Sequence, residues 1–141
     1  MADFFTHFSC ALDVGTPDNA ARALDLYQAF MLEAAREDVP PDGFLLSVQP
    51  EHGGSTLWIR DEITGDPQQV ILFVLRCAEA FNLTGPWGFQ WANACSRPRV
   101  NAFGGGAHVL DLATRKTIAW TDTNGWLART LASTRKHRDA R

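Results

Sequence analysis

Three side chains in the second half of the sequence have the types of a nucleophile, a base and an orienting carboxylate: Cys95, His108 and Asp111. A thiolate activated by a neighbouring histidine is a common enzymatic nucleophile. The spacing argues against this arrangement, because His108 and Asp111 are three residues apart in a segment that alternates like a strand. Their side chains should therefore leave opposite faces. A small cysteine-dependent enzyme that uses Cys95 and His108 is kept as an alternative hypothesis.

A run of three glycines, residues 104–106 in "FGGGAH", has the composition of a phosphate-binding loop. Such a loop places the glycines directly before a helix, and its Walker form ends in Gly-Lys-Ser/Thr. Here a strand pattern follows, and the lysine is missing. The run instead predicts a flexible turn that leads into a hairpin and can border a cleft, since glycine allows close backbone approach.

Tryptophan and arginine recur in "TLWIRDE" and in "WGFQWANACSRPRV". In the first segment Leu57 and Ile59 form the apolar face, so the residues between and after them should point to the opposite side of a sheet. Exposed aromatic rings beside arginine are typical of surfaces that recognise protein or single-stranded nucleic acid. The alternative is that the tryptophans fill the core and the arginines lie in a solvated loop. The predicted binding residues are Trp58, Arg60, Trp91, Arg97 and Arg99.

The histidines and cysteines predict no metal site, because they lie in separate segments without ligand spacing. The three cysteines are odd in number, widely spaced and without a C-x-x-C pair, which favours reduced thiols over disulfides or a zinc ribbon. We therefore expect no metal and no cofactor. The residues considered were His7, His52, His108, Cys10, Cys77 and Cys95.

The length of 141 residues and the hydrophobic fraction of 45% are typical of one globular domain. We place this single domain at residues 1–132. The start "MADFFTHFSC" has no positive leader, and no apolar run approaches the roughly 20 residues of a membrane span. These observations predict a cytoplasmic protein without a membrane partner.

The charge is unevenly distributed along an acidic chain of net charge −3. Residues 1–94 carry thirteen acids and four bases, whereas residues 95–141 carry three acids and nine bases. Part of the basic excess lies in residues 133–141, which we predict to be a disordered tail. An arm that binds nucleic acid is the alternative, although the acidic part of the chain would repel phosphates.

The hydrophobic periodicity predicts an α+β fold. "FFTHFSCAL" alternates like a strand. Thr16 and Asp66 are predicted N-caps, each followed by proline at the first helical position. The order strand, helix, strand, strand, helix, strand is that of a ferredoxin-like βαββαβ fold, an antiparallel sheet with both helices on one face. A C-terminal hairpin and a short helix from about Asp122 to Ala132 would follow.

Four segments together carry a resemblance to a known family: "FSCALDVGTPDNAARALDLY", "SVQPEHGGSTLWIRDEITGDP", "CAEAFNLTGPWGFQWANACSRPR" and "FGGGAHVLDLATRKTIAWTDT". They resemble a family of small proteins, without an assigned activity, carried on plasmids and other mobile elements of Alphaproteobacteria. The resemblance extends from about Phe4 to Leu127 and supplies no catalytic residues. It implies a role in plasmid maintenance or in inhibition of a host defence system.

Together these features predict a non-enzymatic binding protein that contacts a macromolecular partner through the open face of its sheet. A protein partner is expected. Nucleic acid bound through Arg97, Arg99 and the basic tail is a further alternative, and burial of the open face in a homodimer also remains open.

Overall fold

The strands and helices follow one another closely along the chain. The computed structural model describes residues 2–139, and of residues 52 and 137–139 it describes the backbone alone. The chain is α+β, with two antiparallel sheets. A short 3-10 helix, Pro50–His52, joins the third and fourth strands. The elements are β1 (Phe4–His7), β2 (Ser9–Asp13), α1 (Pro17–Ala35), β3 (Leu45–Val48), β4 (Thr56–Arg60), α2 (Pro67–Phe81), β5 (Pro86–Cys95), β6 (Gly104–Asp111), β7 (Lys116–Asp122) and α3 (Thr123–Asp139).

The strands form a four-stranded sheet in the order β1-β5-β6-β7 and a three-stranded sheet in the order β2-β4-β3. This strand order differs from the single ferredoxin-like sheet that the sequence predicts. The predicted first strand is divided at Phe8, whose amide donates a hydrogen bond to the Asp61 side chain (2.8 Å). The amide of Asp61 in turn donates to the Phe8 carbonyl (3.1 Å), and the two halves of the strand belong to different sheets.

Both long helices begin at the predicted caps. Thr16 accepts a hydrogen bond from the amide of Asn19 (3.0 Å), and Asp66 accepts one from the amide of Gln68 (2.9 Å). These bonds satisfy amides that have no partner inside the helix. Helix α2 ends at Asn82 in the left-handed conformation, with φ of 52°.

An aromatic cluster occupies the centre of the core between the helices and the three-stranded sheet. The Phe73 ring lies 5.4 to 5.9 Å from the rings of Tyr27, Phe30 and Phe44 in tilted or edge-on arrangements. The hydroxyl of Tyr27 also donates to the carbonyl of Phe44. These contacts join α1, α2 and the start of β3 into one packed unit.

A second aromatic row lies along β5 on the side that faces the core. Phe89 stacks between Trp87 and Trp91, at centroid distances of 5.3 and 5.5 Å. Phe8 meets Phe89 edge-on at 6.3 Å. Phe8 therefore both divides the first strand and connects the two sheets.

The three glycines lie inside β6, not in the predicted turn before it. A side chain at Gly105 would overlap the backbone carbonyl of Trp91, and one at Gly106 would overlap the Trp91 indole. The glycines therefore permit β6 to approach β5 closely beneath a large ring, which is a packing requirement of the strand itself.

The C-terminal helix is longer than the sequence predicts. It begins at Thr123 as expected but continues beyond Ala132 through Asp139, so residues 133–139 of the predicted disordered tail are helical. Residues 140 and 141 lie outside the described residues. No helix within residues 2–139 has both the length and the apolar character required to cross a membrane.

Candidate functional site

The outer side of the three-stranded sheet carries an ordered tryptophan and arginine. Leu57 and Ile59 are fully buried, so the alternation of β4 directs Trp58 and Arg60 to the other side. The Arg60 guanidinium carbon lies 3.9 Å from the centre of the Trp58 ring, a cation–π arrangement. The sequence predicts that these two side chains lie on the same side of the sheet, and the structure shows them in contact.

Hydrogen bonds from both neighbouring strands hold this pair in place. Trp58 Nε1 donates to Ser9 Oγ of β2 (2.8 Å), and Arg60 Nη1 donates to Ser47 Oγ of β3 (3.1 Å). The strand register explains the contacts, because Trp58 is directly opposite Ala11 on one side and Ser47 on the other. Two long side chains are thus fixed on a surface that remains partly exposed.

A histidine–aspartate pair lies where the two sheets meet. His7 Nδ1 is 2.8 Å from Asp61 Oδ2, and the other Asp61 oxygen accepts the Phe8 amide. An ionised carboxylate only accepts hydrogen bonds, so His7 donates from Nδ1 and its Nε2 is an acceptor when the ring is neutral. The His7 side chain is 47% exposed and that of Asp61 13%. The pair presents an oriented imidazole to solvent.

A cavity of about 360 Å³ extends the surface across the sheet junction. It is lined by His7, Ser9, Gln90, Trp91 and Ala92. Serine, histidine and aspartate are the residue types of a hydrolytic triad, but the Ser9 hydroxyl is hydrogen-bonded to Trp58 and forms no hydrogen bond with His7. The arrangement is suited to binding polar groups. We call the residues His7, Ser9, Ala11, Ser47, Trp58, Arg60 and Gln90 the outer face.

Sequence reasoning missed the pairing of His7 with Asp61. The two residues are 54 positions apart, and their contact depends on the register of β2 against β4 and on the break at Phe8. The only available signal was the alternation that places His7 and Ser9 on one side of the first strand.

The Trp91 side chain lies on the core-facing side of β5, although the residue also lines the cavity beside His7. It packs against the core, and its indole lies over Gly106. It also borders a second cavity, of about 510 Å³, between the start of α2 and the core-facing side of β5, β6 and β7. Trp58 and Trp91 therefore do not present their rings on one shared patch.

Arg97 and Arg99 are exposed in the segment that follows β5. They lie beyond Cys95, which is opposite Phe4 at the start of β1. Trp58, in contrast, is opposite Ala11, seven residues further along the first strand. The structure places the two arginines at a different end of the surface from the Trp58 and Arg60 pair.

The proposed nucleophile and base are not brought together. His108 is opposite Phe89, and Cys95 lies six residues further along β5, about 20 Å away at the rise of an extended strand. His108 Nε2 is instead 2.8 Å from Thr117 Oγ1, and partial burial lowers the pKa of His108. Asp111 accepts hydrogen bonds within the turn that follows β6. The Cys95 and His108 pair therefore lacks the geometry of an activated nucleophile.

The other two cysteines are unsuited to reaction. Burial raises the pKa of Cys10 and of Cys77 to about 12, so both are protonated near neutral pH. Within the described part of the chain, no three side chains of histidine, cysteine, aspartate or glutamate converge to bind a metal ion.

No family model, curated protein or solved structure matches this chain.

Proposed function

We propose that this protein is a non-enzymatic binding protein that recognises a macromolecular partner through its outer face. The observation that supports the proposal is the fixed pair of Trp58 and Arg60, which is held by a cation–π contact and by hydrogen bonds to Ser9 and Ser47. Tryptophan and arginine are enriched among the residues that dominate binding energy at interfaces. Because these side chains are already ordered, binding loses little rotamer entropy.

The charges around the outer face favour a protein partner over nucleic acid. Asp13 lies on the same side of β2, and Asp61 and Glu62 directly follow β4. Residues 1–94 carry nine more acids than bases. Phosphate backbones are bound mainly through an excess of lysine and arginine, which this region lacks. The proposed partner is a protein with a basic surface, which the acidic region would engage as a nucleic acid does.

A role for a mobile element fits this mode of binding. The four segments that resemble a plasmid-borne family imply plasmid maintenance or inhibition of a host defence system. Proteins of host defence systems that bind nucleic acid carry basic grooves, and an acidic protein with an aromatic anchor is suited to occupy such a groove. The proposed role is therefore that of an accessory or anti-defence factor in the cytoplasm.

At the level of the fold, we propose that the two sheets derive from a ferredoxin-like layer whose first strand is divided at Phe8. Three antiparallel pairings support this relationship: β5 with β1, β2 with β4, and β4 with β3. They place the divided strand between β5 and β4. The outer face then corresponds to the side of the layer opposite α1 and α2.

Photo-crosslinking tests the proposed binding surface. A photoreactive residue is introduced at Ala11, beside Trp58, and the matched control carries it at Ala113, in the exposed turn after β6. Both proteins are irradiated in lysate of the cells that encode the protein. We expect a discrete adduct from position 11 only, and its partner is then purified for affinity measurements.

Substitution of Trp58 then tests the energetic contribution of the face. Trp58→Ala should weaken affinity for the purified partner about thirtyfold, as expected for a residue that contributes about 2 kcal/mol. Trp126→Ala, on α3, is the matched control and should leave the affinity unchanged. Equal affinities of Trp58→Ala and the unaltered protein would refute the proposal, provided that circular dichroism shows both to be folded.

A further inference from the structure

The last two elements leave large apolar side chains in solvent. Residues 116–121 of β7 are exposed on both sides of the strand, and residues 126–136 of α3 are exposed as well. We call Lys116–Asp139 the C-terminal unit. Exposed apolar groups concentrated in this way mark interaction sites. Five large apolar side chains of the unit are between 46% and 64% exposed: Ile118, Trp120, Trp126, Leu127 and Leu131.

Helix α3 has an apolar stripe that is about half exposed to solvent. At 100° per residue, Trp126, Leu127 and Leu131 lie on one side of the helix. Arg129 and Arg135 flank this stripe, one on each side. The helix is anchored near its start, where Thr123 Oγ1 donates to the carbonyl of Gly105. Its 17 residues extend about 25 Å, and an isolated helix of this length is marginal in water. A surface that covered the stripe would therefore stabilise the helix.

A groove with complementary properties lies beside α1. Two adjoining cavities, of about 280 and 480 Å³, share Tyr27 and Met31 as lining residues. Leu32 and Ile63 border them with 65% and 70% of their surface exposed. The charged lining residues are both acidic, Asp42 and Glu62. The groove is therefore apolar along its floor and negative at its rim.

We propose that α3 of one chain docks in this groove of a second copy, and that the exchange is reciprocal. The apolar stripe of α3 would cover Met31 and Leu32, and the flanking Arg129 and Arg135 would reach the rim residues Asp42 and Glu62, an amphipathic helix-in-groove contact. Both surfaces belong to the same chain and have opposite charge, so a twofold dimer uses each of them twice. This assembly is independent of the outer face, and the two proposals can fail separately.

Pairing of the exposed β7 edges is a less suitable mode of association. The register of β6 against β7 shifts between Val109 and Leu110, so Ile118 forms a bulge in the edge strand. A bulge interrupts the alternation of side chains and protects an edge from pairing with another strand. The proposal therefore assigns the contact to α3.

Sedimentation velocity across the micromolar range tests the dimer. We expect the unaltered protein to dimerise, and Leu127→Asp on α3 and Leu32→Asp in the groove each to weaken association at least tenfold. Ala132→Asp, on the polar side of α3, is the matched control and should still dimerise. Circular dichroism establishes that each variant is folded, since every substituted side chain is exposed.

Mixing the two defective variants identifies the contact. Leu127→Asp retains an intact groove and Leu32→Asp an intact helix, so their mixture should form heterodimers with one native contact. A monomeric unaltered protein would overturn the proposal. A dimer that resists Leu32→Asp but not Leu127→Asp would also overturn it, because α3 would then bind elsewhere.

Discussion

Helices α2 and α3 are similar in length and opposite in environment. Among the 15 residues of α2, seven are buried, including Phe73 and Val74 at the centre of the core. The 17 residues of α3 carry Trp126, Leu127 and Leu131, yet these are half exposed. The difference shows that large apolar residues alone do not make a helix part of the core. Helix α2 packs against α1 with seven residues buried, whereas α3 contacts β6 and β7 and leaves its apolar side chains half exposed.

The largest expected effect comes from removing the centre of the aromatic cluster. Phe73→Ala should lower the free energy of unfolding by about 3–5 kcal/mol, because it deletes a fully buried ring and leaves a cavity. Trp126→Ala, measured at concentrations where the protein is monomeric, should change it by less than about 0.5 kcal/mol. Urea denaturation of both variants measures the contrast. A similar loss of unfolding free energy in both variants would mean that α3 packs against the core of its own chain.

The rate of thiol alkylation should differ by a large factor between the core, which includes α2, and the exposed helix α3. Because the pKa of Cys10 and of Cys77 is about 12, their alkylation near pH 8 should be on the order of a thousandfold slower than that of free cysteine. A cysteine introduced by Ala132→Cys on α3 should react at nearly the free rate. Mass spectrometry of alkylated peptides gives each rate. Rapid labelling of Cys77 in the folded protein would contradict the packing described for α2.

Helices α1 and α2 and strand β4 could be predicted from the sequence because their signals are local. Thr16 and Asp66 mark helix starts by capping chemistry, and the alternation of β4 separates Leu57 from Trp58. The division of the first strand could not be predicted, since it depends on a hydrogen bond from Phe8 to Asp61, 53 residues away. For the same reason, the strand order differs from the expected single sheet.

The candidate site could be predicted only in part. The pair of Trp58 and Arg60 follows from strand alternation within one segment, whereas the contact of His7 with Asp61 depends on strand register. The glycine run shows the same limit. Its composition indicates a turn. The structure instead shows that glycine is needed at positions 105 and 106 because Trp91 on the neighbouring strand leaves no space for a side chain.

A moderate effect is expected at the contact between the glycines and Trp91. Gly106→Ala should lower the free energy of unfolding by about 1–3 kcal/mol, because the new methyl group overlaps the indole. In the Trp91→Phe background the same substitution should cost less, since the smaller ring leaves space. Chemical denaturation of the four proteins completes a double-mutant cycle. Additive effects would mean that the glycine is required for another reason.

The smallest expected effect is the pH dependence due to His108. Burial lowers its pKa in the folded state, so the unfolded state binds more protons between that lowered value and the ordinary value of about 6.5. The free energy of unfolding should therefore rise with pH through this window and level off above and below it.

Denaturation of the His108→Gln variant between pH 5 and 8 isolates this contribution. The variant should show a weaker rise of stability with pH than the unaltered protein. A pH profile with the same slope in both proteins would assign the dependence to other groups.

Hydrogen–deuterium exchange of α3 as a function of protein concentration is the most direct test of the contrast between the two helices. The account predicts that amides of α3 are protected in concentrated samples and lose protection on dilution, while amides of α2 stay protected throughout. Protection of α3 that is independent of concentration would contradict the account, because the helix would then be stabilised within its own chain.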